Sequence, residues 1–277
     1  CAMAFPASAA PWTQAGASTG VPAGVFPPAG LYFIGSANYG GTTSGNDKYS
    51  GVAVQGFNWV PGWTFLGATY AAGAYLIESE FGYGNGSHFA NVYNPEINPI
   101  SLSWSLGNNF YASVGEFIYI PINTNQTFSS AGATSGWAFE QHGAISYVTS
   151  EWIASANVSV GITTADAIGI RQPDYLNLDL TLLKEFGKWR FGPIAYGSWD
   201  LDTTPANAAV GKGVALGVGG ALGYNFGDVD LSLKVTHQVD GHGDIGYGKY
   251  DTRAWATLVV PIWNPTAPAP KPVVAKY

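Results

Sequence analysis

The stretch 175–200, YLNLDLTLLKEFGKWRFGPIAYGSWD, constrains the fold of this chain more than any other. Leu176, Leu178, Leu180 and Leu182 alternate with Asn177, Asp179 and Thr181. That period of two puts the leucines on one face of a strand and the polar residues on the other. Gly187 and Lys188 then offer a tight turn. On the return limb Trp189, Phe191, Pro193, Ala195 and Trp199 alternate with Arg190, Gly192, Ile194, Tyr196, Ser198 and Asp200. Each limb spans roughly 12 residues, about what a tilted strand needs to cross a bilayer. A hairpin with one apolar face, one polar face and aromatic rings at its ends is expected of a transmembrane β-barrel.

Composition agrees. Only 10% of residues are charged, against roughly 25% in soluble domains. Hydrophobic residues make up 47%, with 14% aromatic, yet no apolar run approaches the ~18 residues of a membrane helix. A barrel bathed in lipid accounts for this combination, and 277 residues suit one such barrel. The net charge of −7 argues against a nucleic-acid partner, which needs a basic surface.

The remaining hairpins follow the same pattern. Residues 1–30 are rich in Ala, Gly and Pro and show no strand or helix period, so composition alone favours a disordered leader. Residues 31–263 divide into about twelve strands, an even number within the range of bacterial outer-membrane barrels. Residues 264–277 form a Pro-rich tail. The second strand, 52–60, is expected to pass through a Pro61-Gly62 turn into a third over 63–78. Connections alternate strictly between tight turns and long, polar, Gly-rich loops. In an up-and-down meander every short turn then falls at one rim, as in outer-membrane barrels with short periplasmic turns and long extracellular loops. Both termini are expected in the periplasm. Trp59, Trp63, Trp152, Phe186, Trp189, Phe226 and Trp263 fall near the short-turn rim, and Trp137 and Trp199 near the other, as aromatic girdles should.

The polar faces give the candidate lumen. Glu140, His142, Asp179, Arg190, Asp230, Lys234 and Arg253 are expected to line it, beside an unusually small face on 214–226 formed by Ala215, Gly217, Gly219, Ala221 and Gly223. In the fifth strand, 109–120, Glu116 would be costly against lipid. Its face is therefore assigned to the lumen with Phe110, Ala112, Val114 and Ile118, leaving Tyr111, Phe117 and Tyr119 outside.

Little else suggests chemistry. His237, Asp240, His242 and Asp244 have metal-like spacing but lack thiolates and lie in a loop, so they are read as polar loop residues. His142 and Ser146 could form the start of a hydrolytic pair only if a third group oriented them. No catalytic residue, metal or cofactor is assigned. The single cysteine, Cys1, excludes an internal disulfide. It reads either as the lipid-modified first residue of a lipoprotein or, with FPASAA after it, as the remnant of a secretory signal.

The segment PPAGLYF at 27–33, entering the first strand after a Gly/Pro-rich leader, resembles the start of the outer-membrane channels of the meta-pathway-of-phenol-degradation family. The strand count and expected termini also match, and the resemblance covers residues 21–263. It implies a 12-stranded barrel whose N-terminal segment enters and occludes the lumen. It also implies uptake of small hydrophobic, often aromatic, compounds, with exit sideways into the bilayer. Carried onto this chain, Val21, Pro22, Val25, Phe26, Pro27 and Pro28 would form the luminal plug. The Pro-rich tail and Cys1 depart from the family pattern. They leave a second reading, a lipid-anchored structural or assembly barrel that binds a protein partner through its tail or extracellular loops. A membrane hydrolase is the third.

Overall fold

The computed structural model describes residues 11–41, 48–83, 86, 88–122, 136–166, 169, 171–208, 211–242 and 251–265. Its strands are β1 (Gly30–Gly41), β2 (Lys48–Val60), β3 (Thr64–Phe65), β4 (Ala68–Tyr83), β5 (His88–Val92), β6 (Glu96–Gly107) and β7 (Phe110–Tyr119). There follow β8 (Ala138–Val148), β9 (Trp152–Thr163), β10 (Tyr175–Phe186), β11 (Trp189–Asp200), β12 (Val214–Asn225), β13 (Asp230–His242) and β14 (Thr252–Trp263). All but the short β3 and β5 are staves of one antiparallel barrel of 12 strands. It closes where β14 pairs back onto β1, from Leu31 opposite Trp263 to Gly41 opposite Thr252. Closure leaves no stave with an unpaired edge in the hydrocarbon, where unsatisfied backbone groups are expensive.

The alternation of the 175–200 hairpin is realised in β10 and β11. Tyr175, Asn177, Asp179, Thr181 and Leu183 are buried, while Leu180 and Leu182 are exposed on the outside. Large inward side chains find space over glycines of the neighbouring stave. The Tyr175 ring lies against Gly161 and the Tyr196 ring against Gly217, where a Cβ would collide with the ring. At one rim the connections are tight, helped by Gly187, Asn108 and Asn109 in the left-handed region. The exposed rings of Trp59, Trp63, Trp152, Phe186, Trp189, Phe226 and Trp263 gather at that rim, and Trp137 is exposed at the other.

Three details differ from the sequence-based expectation. The third stave does not start at residue 63. The Pro61-Gly62 turn leads instead into β3, which forms a small hairpin with Ala68 and Thr69 through Leu66 and Gly67, both with positive φ. On β6, Pro99 offers no N–H, and the ladder to β7 breaks between Ile97 and Ile100. The buried Asn98 side chain fills the gap, donating to the carbonyls of Ile100 (3.1 Å) and Glu116 (2.7 Å).

The third difference is the face of β7. Glu116 does not face the lumen, and neither do Phe110, Ala112, Val114 and Ile118. Phe110 and Val114 are exposed on the outside, and both Glu116 carboxylate oxygens accept from the outward Gln141 side chain, at 3.2 and 2.9 Å. It is Ser113, Phe117 and Tyr119 that point inward, Phe117 against the His142 ring and the other two against the leader. The outward charge is tolerated because an amide partner shares its cost, and the inner face is chosen by what lies inside the barrel.

Candidate functional site

What lies inside is the segment preceding β1. Residues 11–29 run the length of the lumen, from the long-loop rim down to the short-turn rim where β1 begins. At the upper end Trp12 packs among Ile77, Tyr119, Ala138 and Tyr175, its ring 5.3 Å from that of Tyr93. The Thr13 hydroxyl donates to Glu140 at 2.7 Å and sits 2.5 Å from the Tyr119 hydroxyl. Glu140 is fully buried and also bonds the Tyr175 hydroxyl and His142. Asn177 donates to the Thr13 carbonyl at 3.0 Å.

In mid-lumen the leader folds into two consecutive turns, Ala17 N–H to Gln14 carbonyl and Thr19 N–H to Gly16 carbonyl. Both Gly16 (φ 83°) and Gly20 (φ 85°) lie in the left-handed region, which glycine occupies without a steric penalty. These turns sort the backbone polarity. The N–H groups of Gly16 and Ser18 and the Ser18 hydroxyl donate to Asp179 at 3.0, 2.8 and 2.7 Å. The carbonyls of Gly16, Ala17 and Thr19 accept from the Lys234 ammonium at 2.6, 2.8 and 3.0 Å. Lys234 also lies 4.4 Å from the Trp255 ring centre. A carboxylate on β10 and an ammonium on β13 thus grip opposite poles of the same turns. Charge-assisted bonds of this kind are about twice as strong as neutral ones.

Lower down, hydroxyls take over. Gly20 donates to Thr181 at 2.8 Å, Ala23 to Ser155 at 3.2 Å and Gly24 to Ser146 at 2.8 Å. In return Ser113 donates to the Ala23 carbonyl at 3.0 Å and Ser103 to the Gly24 carbonyl at 2.7 Å. The small face of β12 is filled by the leader: Ala15 packs against Tyr196 and Ala215, and Gly20 approaches Ala221. Val21, Pro22, Val25, Phe26 and Pro27 are half-buried near the lower rim, Pro28 is exposed, and Phe26 packs against Tyr32, Val60 and Ala71. Most of the bonding therefore falls upstream of this stretch, on Thr13, Gly16, Ser18, Thr19 and Gly20, which sequence reasoning did not single out. Their one visible signal is the Gly/Ser/Thr-rich run TQAGASTG, suited to turns.

The other inward charges pair within the wall. Arg190 and Asp230 form a two-pronged ion pair across Gly223 near the short-turn rim. Arg253, only 2% exposed, ties β14 to β1 and β2 through Asp251, Asn38 and Ser50. Ser146 and His142 are not brought together as a hydrolytic pair, since Ser146 bonds Gly24 and Ser155 while His142 bonds Glu140. His237 bonds Thr252 at 2.7 Å, and Asp240 and His242 are exposed. Asp244 lies outside the described residues, as do Cys1 and most of the tail. Among the described residues no cluster of His, Cys, Asp and Glu could hold a metal. The described ends, Pro11 and Pro265, lie at opposite rims, and the termini themselves fall outside the described residues.

A closed 12-stranded up-and-down barrel, belted with aromatic rings and carrying its own N-terminal segment through the lumen, is a barrel of the outer-membrane type. Solved structures with this fold include the NanC porin, at 10% identity and a TM-score of 0.50, over 82% of this chain and 98% of that one. The β domain of the Bordetella autotransporter BrkA matches at 13% identity and a TM-score of 0.52, over 85% of this chain and 100% of that one. A search of the curated proteins finds none that matches. The chain belongs to the family described as "Putative MetA-pathway of phenol degradation", whose pattern matches residues 34–245.

Proposed function

We propose that this protein is a bacterial outer-membrane channel for passive uptake of small hydrophobic compounds, aromatic ones included, with residues 11–29 as its displaceable plug. The observation that carries this reading is the division of the inner wall. Apart from the Pro28 carbonyl, which accepts from the Tyr32 hydroxyl at 2.7 Å where the leader joins β1, the described hydrogen bonds between leader and wall go to β6 through β10 and to β13. The sector opposite, on β1, β2 and β4, presents Tyr32, Val52, Val54, Val60, Ala71 and Ile77, against which the leader's Trp12 and Phe26 pack. An apolar solute can partition between that sector and the leader without breaking a single bond of the polar side. The family description, with its reference to phenol degradation, supports an aromatic substrate class. Passage past the leader, for toluene as for larger solutes, displaces it, since its attachment is polar and so can be exchanged for water.

A reversible lock tests the plug. The side chains of Ser18 and Asn157 meet at 2.9 Å, so a Ser18→Cys/Asn157→Cys variant joins leader to wall when oxidised. In proteoliposomes, uptake of toluene is expected to fall on oxidation and recover on reduction. Equal uptake in both states sinks the idea that the leader moves aside.

A further inference from the structure

Across the outer wall of β8 to β12, just above the short-turn rim, runs an apolar groove of about 560 Å³. Strand register creates it. On the outside, Tyr147 and Ile145 of β8 stand beside Ala154 and Ala156 of β9, which stand beside Leu182 and Leu180 of β10. Beyond β10 the floor drops again at Pro193 and Ala195 of β11 before rising at Val218. Staves two apart are separated by roughly 10 Å, so a small residue between two large ones leaves a trough one hydrocarbon chain wide.

The groove has a polar foot. Trp152 is the next outward residue below Ala154, and Lys184 is its ladder partner on β10. The Lys184 ammonium lies 4.7 Å from the Trp152 ring centre and 2.8 Å from the Glu151 carboxylate. That hydrogen bond and the Lys184 charge hold the Glu151 carboxyl below the usual carboxylate range. The side chains remain 36% and 67% exposed, and Lys184 spends one of three N–H donors on Glu151. A cation and an anion thus stand side by side at the interface, at the mouth of an apolar trough that leads into the membrane.

We propose that this groove is a binding site for a phospholipid with a zwitterionic head of the phosphoethanolamine type. One acyl chain lies over Ala154 and Ala156, the phosphate meets Lys184 and the head-group ammonium meets Glu151. An anionic head without an ammonium would gain Lys184 but face Glu151 unpaired, so the foot discriminates by charge as the trough does by shape. The outward side chains of the groove and its polar foot face lipid, while the leader's bonds to the same staves go to the inward Ser146, Ser155 and Thr181.

Native mass spectrometry of the full chain, released from detergent after addition of phosphatidylethanolamine or phosphatidylglycerol, tests the proposal. One phosphatidylethanolamine per barrel is expected, with phosphatidylglycerol retained less. Ala154→Leu/Ala156→Leu fills the trough and Lys184→Gln/Glu151→Gln removes the charges. Each should retain roughly fivefold less phosphatidylethanolamine, the effect of losing a single modest contact. Heat-modifiable gel migration confirms that each variant is folded, and either folded variant alone suffices. Equal retention by wild type and a folded variant, equal retention of the two lipids, or no retained lipid overturns it.

Discussion

Deletion of residues 11–29 from the chain is expected to raise single-channel conductance by roughly an order of magnitude, because conduction follows the free cross-section of the pore. Barrel geometry explains why so much depends on one segment. About eight strands enclose a space that side chains can fill, and 16 to 18 leave an aqueous channel. Twelve lie between, and here the inward residues of β12 from Ala215 to Gly223 are all Ala or Gly, so side chains alone do not fill the lumen. The deletion should not cost the fold. The staves pair with each other around the whole circle without the leader, and the polar groups it leaves behind can bond water in an opened pore. Planar-bilayer recording of the refolded variant provides the check. A conductance equal to that of the full chain means that the constriction lies elsewhere.

Lys234→Met is expected to produce frequent openings in an otherwise closed channel. The substitution removes the donor to three leader carbonyls and leaves Asp179 without its cation. A hydrogen bond to a charged group contributes about 1.5 kcal/mol or more, and 1.4 kcal/mol is a tenfold change in an equilibrium. Losing even one of the three therefore shifts the leader's bound-to-released ratio about tenfold. Asp179→Asn should act in the same direction through the Gly16 and Ser18 contacts. Because both groups hold the same turns, the double variant should open by less than the sum of the singles. Arg253→Met supplies the contrast. That guanidinium is as deeply buried, but its described partners are Asn38 on β1, Ser50 on β2 and Asp251 just before β14. Its loss, at about 3–5 kcal/mol for a broken buried pair, should lower thermal stability and leave open probability near wild type. If Arg253→Met opens the channel as Lys234→Met does, general loosening rather than release of the leader explains both.

The barrel was legible because its evidence is local. In the 175–200 hairpin one face meets lipid along its whole length, so the period of two is unbroken from Leu176 to Leu182, and a turn glycine marks the reversal. The face of β7 was not legible. A rule about isolated charges in lipid put Glu116 inside, whereas Gln141 on the next stave satisfies it outside. What sets the register there is Ser113 and Tyr119 reaching the leader, 90 and 106 residues away in sequence. The leader itself shows the same limit more strongly. Thr13, Ser18 and Thr19 have no periodicity, and their conformation rests on glycines at 16 and 20 and on partners as far off as Lys234. The Gly/Pro content that suggested disorder is what lets the segment bend tightly enough to present carbonyls to an ammonium and N–H groups to a carboxylate. Family resemblance pointed to residues 21–30 as the plug, while the bonds that hold the segment begin at Thr13.

A plugged barrel requires the leader to lie against β9 and β10 inside the lumen. Oxidation of the Ser18→Cys/Asn157→Cys variant in native outer membranes measures this directly, with Ser18→Cys/Ser36→Cys as control, since Ser36 lies on β1, five staves from β10 around the barrel. A disulfide is expected in the first pair, visible as altered migration on a non-reducing gel, and none in the second. No bond in the first pair, or equal bonding in both, would contradict it.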